Sequence, residues 1–113
     1  IRDAVQAWLM RESRALFEAR LNFFAPQMGV QWRKLSLSNA GSRWGSARID
    51  GAIRLNWRLI HLKPDAIDYV VVHELAHLQH MNHSKAFWQV VSRFYPDYAL
   101  AQAWLKQHQQ QLM

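Results

Sequence analysis

Cysteine is absent from all 113 residues of the chain. Disulfides and thiolate metal sites are excluded, so a bound metal would have to take nitrogen or oxygen ligands. Long apolar runs are missing as well. The run Val70-Val71-Val72 is typical of the longest, whereas a membrane-crossing helix needs about 20 apolar residues in succession. The start of the chain shows no signal-peptide pattern. A cytoplasmic protein without membrane contact is therefore the default expectation. Acids are scarce too: eight Asp and Glu stand against fourteen Lys and Arg, a formal net charge of +6. Beyond Glu74 the one acid is Asp97, which limits any carboxylate ligand downstream. The basic balance suits nucleic acid or another anionic partner and equally suits plain solubility. No recognised nucleic-acid module is visible.

What is present is enough for one compact domain and not two. Residues 1–113 are expected to be a single domain, the C-terminal part of a longer protein, because Ile1 opens directly into a helical pattern. Ala4, Trp8, Leu9, Leu16, Phe17 and Leu21 recur at helical spacing to about residue 24, and Pro26 and Gly29 are expected to end that helix. Residues 30–37 read as a strand and 38–42 as a polar turn. Residues 43–59 read as a hairpin about Asp50-Gly51, a pair that favours a tight type I′ turn. After it, Ile53, Leu55 and Trp57 alternate with Arg54, Asn56 and Arg58, an apolar face backed by a polar, basic one. Pro64 suits the first turn of a helix, with Asp65 and Asp68 near its positive end. Asn82 or Ser84 can cap a further helix to about Phe94. Pro96 breaks it, and Asp97 caps a last one. The order predicts an α+β domain.

The segment His73-Glu74-Leu75-Ala76-His77 carries the chemistry. A helix turns by about 100° per residue, so His77 lies only about 40° from His73 and one turn further on. Both imidazoles can reach one ion. Ile67, Val71, Leu75 and Leu78 fall on the opposite side, towards the core. Glu74 lies at the edge between the two faces, able to reach a ligand of the metal without being one itself. This is the logic of the His-Glu-x-x-His motif: two imidazoles hold Zn²⁺, and the Glu serves as general base towards a water whose pKa the ion lowers.

A catalytic zinc site needs a third protein ligand and an open fourth position. His80 stays on the metal face if the helix continues, but it lies about 10 Å along the axis from His73 and would crowd His77. The favoured ligand is His83, reached after a helix break expected at Met81-Asn82, since Asn tolerates the left-handed conformation. His80 then reads as a residue at the rim of the site. Asp97 and His108 stay open as alternatives.

The runs Arg43-Trp44-Gly45-Ser46, Ile53-Arg54-Leu55-Asn56-Trp57-Arg58-Leu59-Ile60, Tyr69-Val70-Val71-Val72-His73-Glu74-Leu75-Ala76-His77-Leu78, Asn82-His83-Ser84 and Phe87-Trp88 follow one another in that order. Together they resemble the YgjP-like metallopeptidase-domain proteins, relatives of the SprT-like and wider zincin metallopeptidases. The resemblance spans roughly residues 30–98. It implies a zincin-like fold with an N-terminal helix, a small β-sheet, an active-site helix and two C-terminal helices. It also implies zinc ligands at His73, His77 and His83, with Glu74 as general base. Family members often carry Cys after the Trp-Gly-Ser run, where this chain has Ala47.

Three functions follow. The first is a zinc-dependent metallopeptidase acting on a peptide or unfolded protein. The second is a metal-dependent phosphohydrolase (a pyrophosphatase) acting on nucleotides, with Arg43, Arg54, Arg58 or Arg93 holding phosphates. The third is a basic nucleic-acid-binding domain in which zinc is a structural prop. Arg54, Asn56 and Arg58 are substrate-binding candidates, on a strand that would border the cleft and pair with an extended substrate. Tyr69, Tyr95 and Tyr98 are candidate donors to an oxyanion. Trp44, Trp57, Phe87 and Trp88 are expected in the core, and Gly45 at a bulge or close backbone approach.

Overall fold

The computed structural model describes residues 2–39 and 43–112. The first helix, α1, spans Arg2–Met28 and includes Pro26 in its last turn. It runs further than the expected end near residue 24. A proline this late costs the helix one hydrogen bond, to the carbonyl four residues back, and the chain closes the end another way. Gly29, at φ 72°, lets its own N–H donate to the Pro26 carbonyl and the Val30 N–H donate to Ala25. That is the paired C-terminal pattern of the Schellman motif.

Three short strands follow: β1 at Lys34–Ser38, β2 at Gly45–Ala47 and β3 at Ala52–Asn56. The sheet order is β1-β3-β2, with β3 parallel to β1 and antiparallel to β2. The expected hairpin is therefore β2 and β3, but its turn is not type I′. That turn needs positive φ at both central residues, and no described residue other than glycine has one. Gly51 alone takes φ 97°, while its N–H donates to Arg48 and the Arg48 N–H donates to Ala52. The loop is one residue longer than the Asp-Gly pair suggested. Part of the polar turn at 38–42 lies outside the described residues.

The polar face expected on the second strand of this hairpin is also corrected. Strand β3 ends at Asn56, and Trp57–His61 form a 3-10 helix. Asn56 is only 2% exposed; its side chain caps that helix by accepting from the Arg58 N–H. Arg58 lies over the Trp57 ring and donates to the Asn39 carbonyl. Arg54, Asn56 and Arg58 thus point to three different environments.

Helix α2, Pro64–Ala76, has Pro64 in its first turn and lies through the middle of the molecule. Its Ile67, Val71 and Leu75 are buried as the spacing predicts, and Val70, Val72 and Ala76 are buried too. They join Phe17 and Leu21 of α1 and Ile53 and Leu55 of β3 in one core. Asp68 accepts two hydrogen bonds from Arg20, at 2.7 and 3.0 Å, and ties α2 to α1. Helix α3, Lys85–Phe94, is capped by Ser84, whose hydroxyl accepts from the Phe87 N–H. Helix α4, Tyr98–Leu112, follows Pro96 and Asp97. Among the described residues no helix is long and apolar enough to cross a membrane.

Candidate active site

The last turn of α2 and the segment after it build the site. The helix ends at Ala76, with His77 as its C-cap, several residues before the expected break at Met81-Asn82. Beyond Glu74 the chain tightens: the N–H groups of His77, Leu78 and Gln79 each bond to the carbonyl three residues back. The tighter winding turns the chain away from the helix axis, and Asn82 needs no left-handed conformation to do it. His83, immediately before the Ser84 cap of α3, is carried back over the end of α2.

His73, His77 and His83 therefore stand together, their nearest ligand atoms all within 4.8 Å of one another. His80 contributes a backbone atom instead of its ring. Its carbonyl lies 3.1 Å from His77 Nδ1, which holds that nitrogen as the N–H and leaves Nε2 with a free lone pair. His77 is 7% exposed. Burial is the largest influence on its pKa and lowers it, outweighing the His80 carbonyl and the Glu74 carboxylate, which favour the charged form; the His73 and His83 rings add to the lowering. Its ring stacks on Phe87 at 4.5 Å. The alternatives for the third position are elsewhere: His108 bonds back to the Trp104 carbonyl and stacks on that ring, and Asp97 lines a separate cavity beside Lys63.

Glu74 is 5% exposed, and its Oε2 lies 3.3 Å from His73 Nδ1. It is packed under β2. A Cβ at Gly45 would stand 3.0 Å from the Arg54 carbonyl and from a Leu55 methyl, and 3.1 Å from Glu74 Oε2. Gly45 thus allows the close approach that the sequence suggested, and the structure identifies what approaches it. A cleft of about 360 Å³ holds the three histidines and Glu74 on one side and Gly45, Ser46 and Ala47 on the other.

The strand along this cleft is β2, not the one carrying Arg54. Strand β3 is paired on both sides and has no edge to offer. On β2, the Trp44 carbonyl and the Arg48 N–H face β3. By the alternation of an antiparallel ladder, the N–H and C=O groups of Gly45 and Ala47 face the open edge.

Of the three tyrosines, Tyr69 lies against His73, ring centroids 5.8 Å apart, and lines a cavity beside Glu74. Burial, then the Glu74 carboxylate, pushes its pKa up to about 12, so its hydroxyl keeps its proton. Tyr95 has its pKa raised, chiefly by burial, and Tyr98 stacks on Trp88. Phe87 and Trp57 are core residues, whereas Trp44 and Trp88 are only half-buried. Trp88 stacks over His83, centroids 5.9 Å apart. The packing of Phe87 and Trp88 on the histidines, and the His80 carbonyl, carried no sequence signal of their own. They depend on where the tightened turn places the chain.

A cluster of imidazoles beside a buried carboxylate, under an open strand edge, has the donors of a metal-dependent hydrolase. The model for the YgjP-like metallopeptidase domain matches residues 1–108, and the chain belongs to that family. The match is wider than the span of motifs in the sequence and takes in α1 and most of α4. No curated protein matches the sequence. Among solved structures, the crystal structure of the metallopeptidase zymogen of Pyrococcus abyssi abylysin resembles this one with a TM-score of 0.71, over 80% of this chain and 93% of that chain, at 21% identity. The likeness is one of fold: α+β and zincin-like.

Proposed function

We propose that the protein is a zinc-dependent peptidase in which His73, His77 and His83 hold the metal and Glu74 is the general base. The observation that carries this reading is the convergence of the three histidines from α2 and the segment before α3. The donor set fits the ion. Three imidazoles without a thiolate suit zinc among the first-row metals, and a buried His77 that favours its neutral form is ready to ligate without losing a proton. When bound, zinc supplies Lewis-acid chemistry, acidifying a water and polarising a peptide carbonyl.

The chain's own residues do the rest. Gly45 and Ala47 offer backbone donors and acceptors to an extended peptide, which adds to the sheet along the open edge of β2. Glu74 takes the proton of the attacking water as its oxygen bonds to the carbonyl carbon. It then delivers that proton to the amide nitrogen as the carbon–nitrogen bond breaks. Tyr69, protonated at working pH, is the hydroxyl best placed to donate towards the carbonyl oxygen.

The nucleotide reading asks for several cations around the site. Of Arg43, Arg54, Arg58 and Arg93, only Arg43 lines either cavity beside Glu74, with Lys106 as the other cation there, and Arg58 is engaged on Trp57 and Asn39. Peptide is the substrate the geometry favours. The test is a screen of zinc-loaded protein against unfolded protein and nucleoside triphosphates, beside metal analysis of protein purified without added metal. Cleavage of unfolded protein with one zinc per chain is expected. Release of phosphate with intact polypeptide would overturn the peptidase reading.

A further inference from the structure

Helix α1 carries two apolar faces. Phe17, Leu21, Phe24 and Met28 form the one that enters the core. At about 100° per residue, Trp8 and Pro26 point directly away from Phe17, Ala15 and Ala19 lie about 20° to either side, and Val5 and Phe23 about 60° off. All six are exposed, and Val5, Trp8 and Phe23 keep 51%, 52% and 50% of their surface in water. The outward face of a helix on a core is normally polar. Here Glu12 is the only charged side chain within the stripe. An exposed apolar stripe of this kind marks a contact surface. No α1 residue lines either cavity beside Glu74, so the stripe has no part in the site and does not depend on the peptidase reading.

We infer that this stripe is a self-association surface, on which α1 packs antiparallel against α1 of a second copy of the chain. Shape and charge both fit that occupant. The stripe is narrow in the middle, where Ala15 and Ala19 let two helix backbones approach. It is bulky at the ends: Trp8 and Phe23 stand about 22 Å apart along the axis with the alanines between them. Turned end for end about the alanines, the second helix brings Phe23 and Pro26 of the partner subunit against Trp8, and the exchange is mutual, as a two-fold contact requires. In such a pair the same flank of each helix meets its counterpart. Arg11 and Glu18 share one flank, only about 20° apart in direction, with Arg11 before the alanines and Glu18 between them. Arg11 of each copy therefore faces Glu18 of the partner subunit. Both side chains are accessible. The Phe23 ring is already held by Arg20, whose guanidinium lies 4.5 Å from its centroid, so little order remains to be imposed there. One helix on one helix is a small contact, and the dissociation constant falls in the micromolar range. Both cavities beside Glu74 stay open in the dimer.

Sedimentation velocity of the full chain over a concentration series tests the proposal. A reversible monomer–dimer equilibrium is expected. Trp8 lies outside the core cluster, so Trp8→Glu should keep the fold and weaken the dimer at least about 30-fold, since each copy loses a central aromatic contact. Arg11→Glu should weaken it about fivefold, and adding Glu18→Arg should restore it. The chain has no cysteine, so one can be introduced alone. Ala15→Cys should cross-link to its counterpart through a short bis-maleimide. Val5→Cys, more than about 30 Å from its counterpart in the antiparallel pair, should not.

A chain still monomeric at about 1 mM leaves the stripe to some other occupant and overturns the proposal. So does a dimer that Trp8→Glu leaves intact, or one in which Val5→Cys cross-links as well as Ala15→Cys. A charge swap that fails to restore what Arg11→Glu removes overturns the antiparallel pairing. Should Trp8→Glu fail to fold, the two cysteine variants decide alone. None of these readouts uses metal or peptide cleavage, so the outcome is separate from that of the peptidase reading.

Discussion

His77 and His83 stand with ring centroids 4.8 Å apart, yet they reach that point by different means. His77 is held on every side. It caps a helix whose other face is core, stacks on the fully buried Phe87, and has its Nδ1 engaged by the His80 carbonyl. His83 is exposed and lies outside any helix. Its ring rests edge-on against Phe87 and face-on against Trp88. One proposed ligand is placed by the core of the fold; the other is placed by a short segment and an aromatic stack. The difference separates two costs of building such a site. The helical pair is ordered by folding itself, whereas the third ligand must be ordered against its own side-chain and loop entropy. Metal affinity should be sensitive to the second arrangement in ways that folding stability is not.

The largest expected effect lies on the well-held side. Glu74→Gln keeps the size and burial of the side chain but cannot accept a proton. Turnover should fall by about 10²–10⁴, while zinc occupancy by elemental analysis stays near wild type. A variant with wild-type turnover would remove Glu74 from the role of base.

Next comes the loop ligand. His83→Ala should weaken zinc binding by more than the about 10–100-fold that follows loss of an outer partner. His80→Ala keeps the backbone carbonyl that engages His77, and should change affinity little. Competition with a chromophoric chelator at a single pH measures both, since protons compete with metal for imidazole. If His80→Ala loses the metal and His83→Ala retains it, the comparison between the two ligands is misdrawn.

Gly45→Ala tests the contact between β2 and the helical half. Its Cβ would meet the Arg54 carbonyl and a Leu55 methyl at 3.0 Å and the Glu74 carboxylate at 3.1 Å. The carbonyl is backbone and the two side-chain ends are buried, so β2, Leu55 or Glu74 must move. Overpacking of this kind costs about 1–3 kcal/mol, readable as a lower thermal midpoint. Zinc affinity should hold, because no histidine is among the displaced groups. An unchanged midpoint together with unchanged turnover would show that β2 is not packed on Glu74 as described.

How far the sequence disclosed this site follows the same division. His73, Glu74 and His77 are legible because a regular helix converts spacing into direction. The core face of α2 is legible for the same reason. Bringing His83 to the other two histidines needed a break, and the sequence suggested a break at Met81-Asn82 when the helix in fact tightens after Glu74. Nothing in the residues 77–79 marks that point, because the i→i+3 bonds are backbone bonds that most side chains permit. The strand was misjudged for a topological reason. Alternation in residues 53–58 correctly signals a strand at its start, but which strand has an open edge depends on order in the sheet, and that is set by the pairing of β1 with β3. Asn56 looked like part of a polar face and is instead a buried cap, since the strand stops there. The part of α4 that lines the cavity beside Tyr69 and Glu74, at Gln102, Leu105 and Lys106, is far from Glu74 in sequence and left no local trace.

The smallest effect expected falls on the stack that supports His83. Trp88 lies between the His83 ring, 5.9 Å away at 26°, and the Tyr98 ring, 5.2 Å away at 25°. Its ring also meets that of His73, edge-on at 5.9 Å, but it stacks face to face on His83 alone of the three histidines. Trp88→Leu keeps an apolar group on α3 but removes the flat surface, so the His83 ring gains rotamers that it must lose again on ligating. The expected result is a loss of about tenfold or less in zinc affinity, the lower end of what outer partners contribute. Trp88→Phe should recover most of it. Packing loss alone would lower the stability of metal-free protein as well, so its thermal midpoint is measured beside the affinity. A drop in metal-free stability with no change in affinity would make Trp88 a packing residue only. His83 would then be placed by the backbone before the Ser84 cap, and its difference from His77 would be one of exposure and not of support.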